Sequence, residues 1–408
     1  MSHAFLIDRT GGTSLTYEDL LARLSGGRYA PVFRPTSTAE ALVGVLTALV
    51  RGVPIRLVDA DFTSSEIRAL GLEGENLDER APLSGKIPAN LVEAQSLAHK
   101  SAGFSLELYT SGSTGLPKLV RHRLDSLTRT LRVGEKYAED VWAFAYNPTH
   151  IAGIQVLLQA FFNGNTLVDV FGLSRAEIHM RLQSHGVTHL SATPTFYRLL
   201  LPADAPLPEL RSLTLGGERS DAALLAQLRT AFPDARLHNL YASTEAGTLL
   251  VAVGDLFGIH PSVEGKIRLQ DGQLWVAREL LAEFQSHDVG SWYATGDRVE
   301  VVSDTPLRFR IVGRENDFIN VGGSKVDPAE VECALRAFPG VAEARVYGRP
   351  SSVVGTLLCA EYTSLLTLAE PDLRLHLASC LQAHKIPRIM KRVESLAKTR
   401  TGKLSRNV

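Results

Sequence analysis

The chain has 408 residues, and its 43 Lys and Arg residues nearly balance its 44 Asp and Glu residues. At roughly 100–200 residues per domain, this length predicts two or three domains, and a hydrophobic fraction of 45% excludes a disordered or collagen-like chain. A formal net charge of −1 argues against a nucleic-acid-binding protein, because such proteins carry a clear basic excess.

Cysteine usage and the amino terminus indicate the compartment. Cys333, Cys359 and Cys380 form no CxxC pair, which argues against a disulfide framework and against a zinc knuckle. The first nine residues lack the basic segment and the long apolar run of a secretory signal. The longest markedly apolar stretch, residues 41–50, is about half of what a membrane span needs. We therefore expect a cytoplasmic protein without a membrane span.

Strand-like and helical patterns alternate along the first three quarters of the chain. Residues 39–51 predict an amphipathic helix, and residues 221–232 predict another that begins at a polar cap and ends before a proline. Strands are predicted at 54–58, 106–109, 190–192 and 213–215. Such alternation is typical of the α/β class with mostly parallel strands. Residues 1–314 are therefore expected to form a large N-terminal α/β domain.

The last quarter has a different pattern. A helix begins at Asp327 with a first-turn proline and a capping-box glutamate. A strand precedes it, and two strand-like segments and a helix over about 372–384 follow. This order predicts a small C-terminal α+β domain over residues 315–408.

The most informative stretch is a loop rich in hydroxyl residues and glycine, residues 106–118, with the sequence LELYTSGSTGLPK. Glycines permit close backbone approach, hydroxyls and amides donate hydrogen bonds to phosphate oxygens, and the terminal lysine adds a positive charge. The spacing fits neither a Walker A loop nor a GxGxxG fingerprint. A flexible surface turn is the alternative, but the density of these residue types and the closing Pro-Lys favour a phosphate-binding loop.

Further segments accompany this loop in a fixed order: GGE at 216–218, NLYASTE at 239–245, YATGD at 293–297, a Gly-Arg segment at 313–332 and TRTGK at 399–403. Together they resemble the motifs of the adenylate-forming enzymes, a superfamily that includes acyl- and aryl-CoA synthetases, nonribosomal adenylation domains and luciferases. The resemblance covers roughly residues 104–406, whereas residues 1–100 match only loosely. It implies that the C-terminal domain is a mobile lid that turns at a hinge, Asn316, and carries the catalytic lysine, Lys403.

The resemblance also implies a reaction in which a carboxylic acid attacks the α-phosphorus of ATP and pyrophosphate leaves. Because both reactants are anionic, such catalysis depends mainly on positioning and charge neutralisation. The implied catalytic residues are Lys403, Thr244 and Glu245, with Glu245 also holding Mg²⁺. Tyr241 would pack on the adenine, and Asp297 would bind the ribose hydroxyls. The implied ATP-binding residues are Thr110, Ser111, Gly112, Ser113, Thr114, Gly115, Lys118, Glu218, Asn239, Tyr241, Thr244, Asp297, Arg314 and Lys403.

The resemblance also assigns residues to the binding of the acid. The residues that the resemblance assigns to the acid are His150, Gly153, Gly216, Gly217 and Ala242. The segment around His150 contains no carboxylate that could pair with an α-ammonium group, which favours an aryl or fatty acyl acid lacking an α-amino group. A satisfied core histidine is the alternative for His150.

The resemblance assigns Gly322, Gly323 and Lys325 to a pantetheine thiol. Pantetheine occurs both in CoA and in acyl or peptidyl carrier proteins, so the acceptor stays open. Three positions depart from the family pattern, namely Ala242, Ala397 and Asn316, and none of them removes a charged catalytic group.

Four other functions remain as alternatives. The chain could be a stand-alone adenylation enzyme for an amino acid, or an enzyme that stops at the adenylate or uses an amine acceptor. A luciferase-like oxygenase would need a luciferin pocket that no residue pattern specifies. A non-catalytic nucleotide-binding module would be expected to lack Lys403.

Overall fold

The computed structural model describes residues 3–9, 14–73, 77, 79–83, 85–110, 117–203, 205–259, 263–284, 290–321, 324–351 and 355–396. The chain divides into two compact units. The first unit comprises Met1–Ile267 and Val276–Tyr293, and the second comprises Arg268–Trp275 and Ala294–Val408. The domain boundary between residues 314 and 315 stays a prediction.

The strands are β1 (Ala4–Ile7), β2 (Ser14–Thr16), β3 (Arg28–Tyr29), β4 (Val32–Phe33), β5 (Ile55–Leu57), β6 (Ala81–Pro82), β7 (Ser105–Thr110), β8 (Lys118–Arg123), β9 (Val141–Phe144), β10 (Thr166–Asp169), β11 (His189–Ala192), β12 (Ser212–Leu215), β13 (Arg236–Ser243), β14 (Gly247–Val253), β15 (Leu256–Gly258), β16 (Ile267–Gln270), β17 (Gln273–Ala277), β18 (Glu283–Phe284), β19 (Trp292–Asp304), β20 (Leu307–Arg314), β21 (Ile319–Val321), β22 (Ser324–Val326), β23 (Glu343–Ser351), β24 (Gly355–Thr363) and β25 (Ile389–Arg392).

The helices are α1 (Tyr17–Leu24), α2 (Thr38–Arg51), α3 (Ser64–Ala69), α4 (Leu91–His99), α5 (Leu124–Thr128), α6 (Ile151–Asn163), α7 (Arg175–Ser184), α8 (Pro194–Leu200), α9 (Ala222–Ala231), α10 (Pro328–Arg336) and α11 (Glu370–Cys380). Helix α9 begins where the sequence predicts it, because the side chain of Asp221 accepts a hydrogen bond from the Leu224 amide. Helix α11 ends earlier than predicted, because Leu381 adopts an extended conformation.

The main sheet of the first unit has the strand order β15-β14-β13-β12-β11-β9-β10-β1-β2. The strands β1, β10, β9, β11, β12 and β13 are parallel to their neighbours in this series. The prediction of an α/β fold with mostly parallel strands is therefore confirmed for this sheet. Parallel strands end at the same edge, so the segments that follow β9, β11, β12 and β13 lie along one edge of the sheet.

Helices cover both faces of this sheet. The adjacent residues Ala143 and Phe144 of β9 point to opposite faces, and they belong to two different hydrophobic cores. Phe144 packs in a core with Leu157 and Phe161 of α6, whereas Ala143 packs with Leu225 of α9. The sheet is therefore covered by helices on both faces, as is typical of parallel sheets.

A second sheet of the first unit has the order β18-β8-β7-β5-β4. Its strands β7 and β8 are antiparallel, with Thr110 directly opposite Lys118. The two ends of the predicted phosphate-binding loop therefore lie side by side. A short ladder of β3 and β6 completes the sheets of this unit among the described residues.

The second unit contains sheets with the orders β16-β17-β19-β20, β21-β22 and β23-β24-β25. Val331 and Leu335 of α10 pack against Val346 of β23 in its core. Glu332 of α10 is buried, and its Oε1 accepts a hydrogen bond from the Val346 amide at 3.0 Å. Within the described ranges of the chain, none of the helices has both the length and the apolar character needed to cross a bilayer.

Candidate active site

The edge where the parallel strands end carries most of the predicted residues of the first unit. His150 follows β9, and Gly216, Gly217 and Glu218 follow β12. Tyr241 and Ala242 lie near the carboxyl end of β13. Thr244 and Glu245 are in the turn that follows this strand. Strand topology therefore brings together residues that are almost 100 positions apart in the sequence.

Glu218 is held by the helix that follows β11. Its Oε2 accepts hydrogen bonds from the backbone amide of Thr195 at 3.0 Å and from the Thr195 hydroxyl at 2.7 Å. Thr195 lies in the first turn of α8, where backbone amides have no partner within the helix. The carboxylate therefore satisfies a free helix amide, and this contact fixes the orientation of the Gly-Gly-Glu turn.

Asn239 and Tyr241 are buried in β13. The Asn239 side chain accepts a hydrogen bond from the Ser220 hydroxyl at 3.2 Å and donates one to the Gly254 carbonyl at 3.1 Å. The pairing of β13 with β14 shifts register between Tyr241 and Ala242. Ala242, which departs from the family glycine, therefore lies at a β-bulge, an irregularity that re-aims neighbouring side chains.

The turn with Thr244 and Glu245 is tied to neighbouring segments. The Ser243 hydroxyl accepts a hydrogen bond from the Ala246 amide at 3.2 Å, and the Ala282 amide donates to the Glu245 carbonyl at 2.7 Å. Across the parts of the chain that are described, no cluster of three or more His, Cys, Asp or Glu side chains could hold a metal. A single carboxylate such as Glu245 nevertheless fits Mg²⁺, which is commonly bound by one or two carboxylates together with substrate phosphates and water.

His122 is a buried residue of this region that the sequence did not single out. Its side chain is 1% exposed, and its Nδ1 lies 3.3 Å from the Ser126 hydroxyl. Burial lowers the pKa of His122 from 6.5 to about 4, and the nearby charge of Arg129 acts in the same direction. A backbone interaction with Thr244 opposes this shift, but Nε2 makes no well-formed hydrogen bond to any residue that the structure describes. The ring is therefore neutral at pH 7.

His150 is paired with a carboxylate that the sequence analysis missed. Its Nε2 lies 3.3 Å from Oδ2 of Asp59, and Nδ2 of the Asn147 side chain donates a hydrogen bond to the same oxygen at 3.2 Å. Asp59 follows β5, which belongs to the other sheet, so the separation of 91 residues between the two partners concealed the contact. The available signal was an acidic residue directly after a predicted strand, because polar groups at strand ends often line sites.

Gly153 lies where α6 packs tightly against the end of β9. A Cβ atom at this position would come within 2.8 Å of the Asn147 carbonyl oxygen and 3.1 Å of the Phe144 ring. The glycine therefore permits the close approach of the helix to the segment that carries His150.

We expect Gly153→Ala to destabilise the protein by about 1–3 kcal/mol, since overpacking a buried contact has this cost. In an open helix, the same change would stabilise by about 1 kcal/mol. The sign of the change in urea-unfolding free energy therefore tests the contact, and a stabilised variant would contradict it.

Asp297 and Arg314 face each other in the second unit. They are opposite residues of the antiparallel strands β19 and β20, and the Arg314 Nε donates to Oδ1 of Asp297 at 2.9 Å. The Asp297 side chain is almost fully buried, whereas 54% of the Arg314 side chain is exposed. The Asp297 amide donates to the Thr295 hydroxyl at 3.1 Å, which adds a local turn contact. The pair presents one oriented carboxylate and one accessible guanidinium.

Several predicted residues lie outside the part of the chain that the structure describes: Ser111, Gly112, Ser113, Thr114, Gly115, Gly322, Gly323 and Lys403. The backbone of Asn316 is in a short 3₁₀ turn, Glu315–Asp317, and the backbone of Lys325 is in β22. The roles of all these residues stay predictions.

Comparisons with known proteins agree with this arrangement. The family described as AMP-binding enzyme matches residues 36–270, and the AMP-binding enzyme C-terminal domain matches residues 330–403. The chain is 25% identical to a 2-succinylbenzoate–CoA ligase of Staphylococcus aureus over 398 residues, which cover 88% of this chain and 78% of the relative. It is 28% identical to the acetyl-coenzyme A synthetase of Bacillus subtilis over 358 residues, which cover 76% of this chain and 61% of the relative.

A solved structure shows the same fold. The o-succinylbenzoate CoA synthetase of Bacillus subtilis, in complex with its acyl-adenylate intermediate, superposes with a TM-score of 0.73 at 21% identity. The match covers 99% of this chain and 94% of that protein.

The fold and the family matches define an enzyme of the AMP-forming acid–thiol ligase class. The chain belongs to the AMP-binding enzyme family, since the family match covers more than half of its residues. The resemblance to the adenylate-forming enzymes is thereby confirmed.

Proposed function

We propose that the protein activates a carboxylic acid without an α-amino group, using ATP and Mg²⁺, and then transfers the acyl group to the thiol of CoA. The observation that carries this proposal is the shared strand edge, where His150, Glu218, Thr244 and Glu245 meet within a chain that belongs to the AMP-binding enzyme family. In the first half-reaction, a carboxylate oxygen bonds to the α-phosphorus and pyrophosphate leaves.

The residues on this edge suit such a reaction. Thr244 supplies a hydroxyl donor, and Glu245 supplies a carboxylate for Mg²⁺, which neutralises phosphate charge. Lys118 is exposed at the start of β8 and places an ammonium group beside the phosphate-binding loop. We propose that Lys403 approaches the forming adenylate when the C-terminal lid closes.

The surroundings of His150 favour an acid without an ammonium group. The carboxylate of Asp59 already accepts hydrogen bonds, from Asn147 at Oδ2 and from the Asp61 amide at Oδ1. An ammonium group would have to compete with these partners for a side chain that is only 9% exposed. Asp59 is therefore a poor counterion for an amino acid.

The acceptor that we propose is CoA, because the relatives described above are named CoA ligases or synthetases. A phosphopantetheinylated acyl or peptidyl carrier protein is the alternative. Since ATP and CoA are metabolites of the cytoplasm, we also propose a cytoplasmic location.

Acid-dependent exchange of labelled pyrophosphate into ATP tests the first half-reaction. The panel should contain aryl, short acyl, long acyl and amino acids, and an EDTA control should abolish exchange because Mg²⁺ is removed. We expect exchange with an aryl or fatty acyl acid. Exchange with amino acids alone would overturn the proposed substrate class, and no exchange with any acid would overturn acid activation.

Thioester formation tests the second half-reaction. The activated acid should be offered CoA and, separately, a phosphopantetheinylated carrier protein, and the products separated by chromatography. A CoA thioester is expected. A thioester on the carrier alone would replace the acceptor, and an adenylate without a thioester would favour the adenylate-only or amine-acceptor alternatives.

A further inference from the structure

The contact between Asp59 and His150 joins two sheets of the first unit. Asp59 follows β5 of the sheet β18-β8-β7-β5-β4, whereas His150 precedes α6, which packs on the main sheet. The Asp59 side chain is 9% exposed, and its Oδ2 lies 3.3 Å from the His150 Nε2. A buried carboxylate from a separate sheet thus reaches the partly buried ring at the predicted acid site.

The backbone of His150 is held independently of its ring. The His150 amide donates to the Asn147 carbonyl at 3.1 Å, and its carbonyl accepts from the Ile154 amide at 3.0 Å. His150 occupies the N-cap position of α6, but its side chain makes no capping hydrogen bond. The ring is therefore free of any role in starting the helix, and Asp59 is the partner that orients it.

The carboxylate also selects the protonated ring nitrogen. An ionised carboxylate can only accept hydrogen bonds, so a favourable contact requires a proton on Nε2. In the neutral ring, Nδ1 is then the acceptor. One buried carboxylate consequently fixes both the direction of the ring and its tautomer.

We propose that Asp59 is a positioning residue that sets the orientation and tautomer of His150 for binding of the acid. This inference rests on the proposed function, in which His150 contacts the acid. Asp59 acts through His150 and does not touch the substrate.

A double-mutant cycle with Asp59→Asn and His150→Ala tests this inference, with pyrophosphate exchange as the assay. Asp59→Asn keeps the shape of the side chain but places an amide opposite the ring. Losing a hydrogen bond to a charged group corresponds to a factor of about 10–100, so we expect the KM for the acid to rise by that amount. The KM for ATP should change by less than about twofold. In the His150→Ala protein, adding Asp59→Asn should have no further effect on the acid KM, because interacting residues are not additive.

Asp140→Asn is a matched control. It makes the same carboxylate-to-amide change in another buried Asp–His pair, where Oδ1 of Asp140 lies 3.6 Å from Nδ1 of His189, before β9 rather than after it. Its acid KM should stay at the wild-type value. Equal penalties for Asp59→Asn with and without His150 would overturn the positioning role, as would a parallel rise in the KM values for acid and ATP.

A second measurement does not depend on turnover. With ¹⁵N-labelled histidine, the His150 ring should show a proton on Nε2 in the wild type and a changed tautomer ratio in Asp59→Asn. An unchanged ratio would overturn the proposal. Failure of the proposed function is distinguishable, since it would show as wild-type protein without exchange for any acid, whereas additive penalties in an active enzyme reject only the role of Asp59.

Discussion

Asp297→Asn is expected to reduce kcat/KM for ATP in pyrophosphate exchange by a factor of about 10²–10³, the usual effect of removing one preorganised polar contact. The Asp297 side chain is 5% exposed, and its Oδ1 accepts a hydrogen bond from the Arg314 guanidinium, so the carboxylate is oriented before any ligand arrives. Two ribose hydroxyls need a group that accepts both hydrogen bonds. An amide offers a single acceptor oxygen and turns a donor towards either Arg314 or the ribose.

The loss should appear in catalysis rather than in stability. Because 54% of the Arg314 side chain is exposed, its charge stays hydrated after the substitution. The amide oxygen that Asp297→Asn introduces can still accept the hydrogen bond from Arg314, so a charge-assisted hydrogen bond is replaced by a neutral one and the urea-unfolding free energy should fall by only about 1 kcal/mol. Glu300→Gln is the control, since it changes an exposed carboxylate of the same strand, β19. A variant Asp297→Asn with ATP kinetics close to those of the control would reject the assignment of the ribose contact.

Local sequence signals predicted the parallel sheet because residues within each helix and strand mark where that element begins and ends. The Asp221 cap and the following proline bracket α9, and Gly52 ends α2 in a left-handed conformation with φ 68°. The alternation of such helices with apolar strands leaves few topologies that bury both faces of a sheet. The order of the strands then places the predicted turn residues at one edge.

Contacts between the two sheets could not be predicted in this way. The Asp59–His150 pair spans 91 residues, and neither position belongs to a periodic pattern. The interaction of His122 with Thr244 has the same character, since β8 and the turn after β13 meet only when the two sheets pack. Motifs indicate which residues do chemistry, whereas the residues that orient them come from tertiary packing.

His122→Gln is expected to make the protein less sensitive to acid. The unfolded chain binds a proton at this histidine near pH 6.5, whereas the folded protein binds it only near pH 4, because burial disfavours the charged ring. Between these pH values the unfolded state holds more protons, so the free energy of unfolding decreases as the pH falls. A pKa lowered from 6.5 to about 4 corresponds to about 3 kcal/mol, which is fully lost only below the folded pKa.

Urea unfolding between pH 7.5 and pH 4, followed by circular dichroism, gives the slope of the unfolding free energy against pH. A loss of packing lowers this free energy equally at every pH, so it does not change the slope. The variant should lose about 3 kcal/mol less than the wild type over this interval. Burial also lowers the pKa values of His185, His189 and His238, and these residues contribute equally to both proteins. His99→Gln makes the same substitution at an exposed ring and serves as the control. Parallel curves for the wild type and His122→Gln would contradict the prediction. They would mean that the His122 ring gains its proton as easily in the folded protein as in the unfolded chain, despite its 1% exposure.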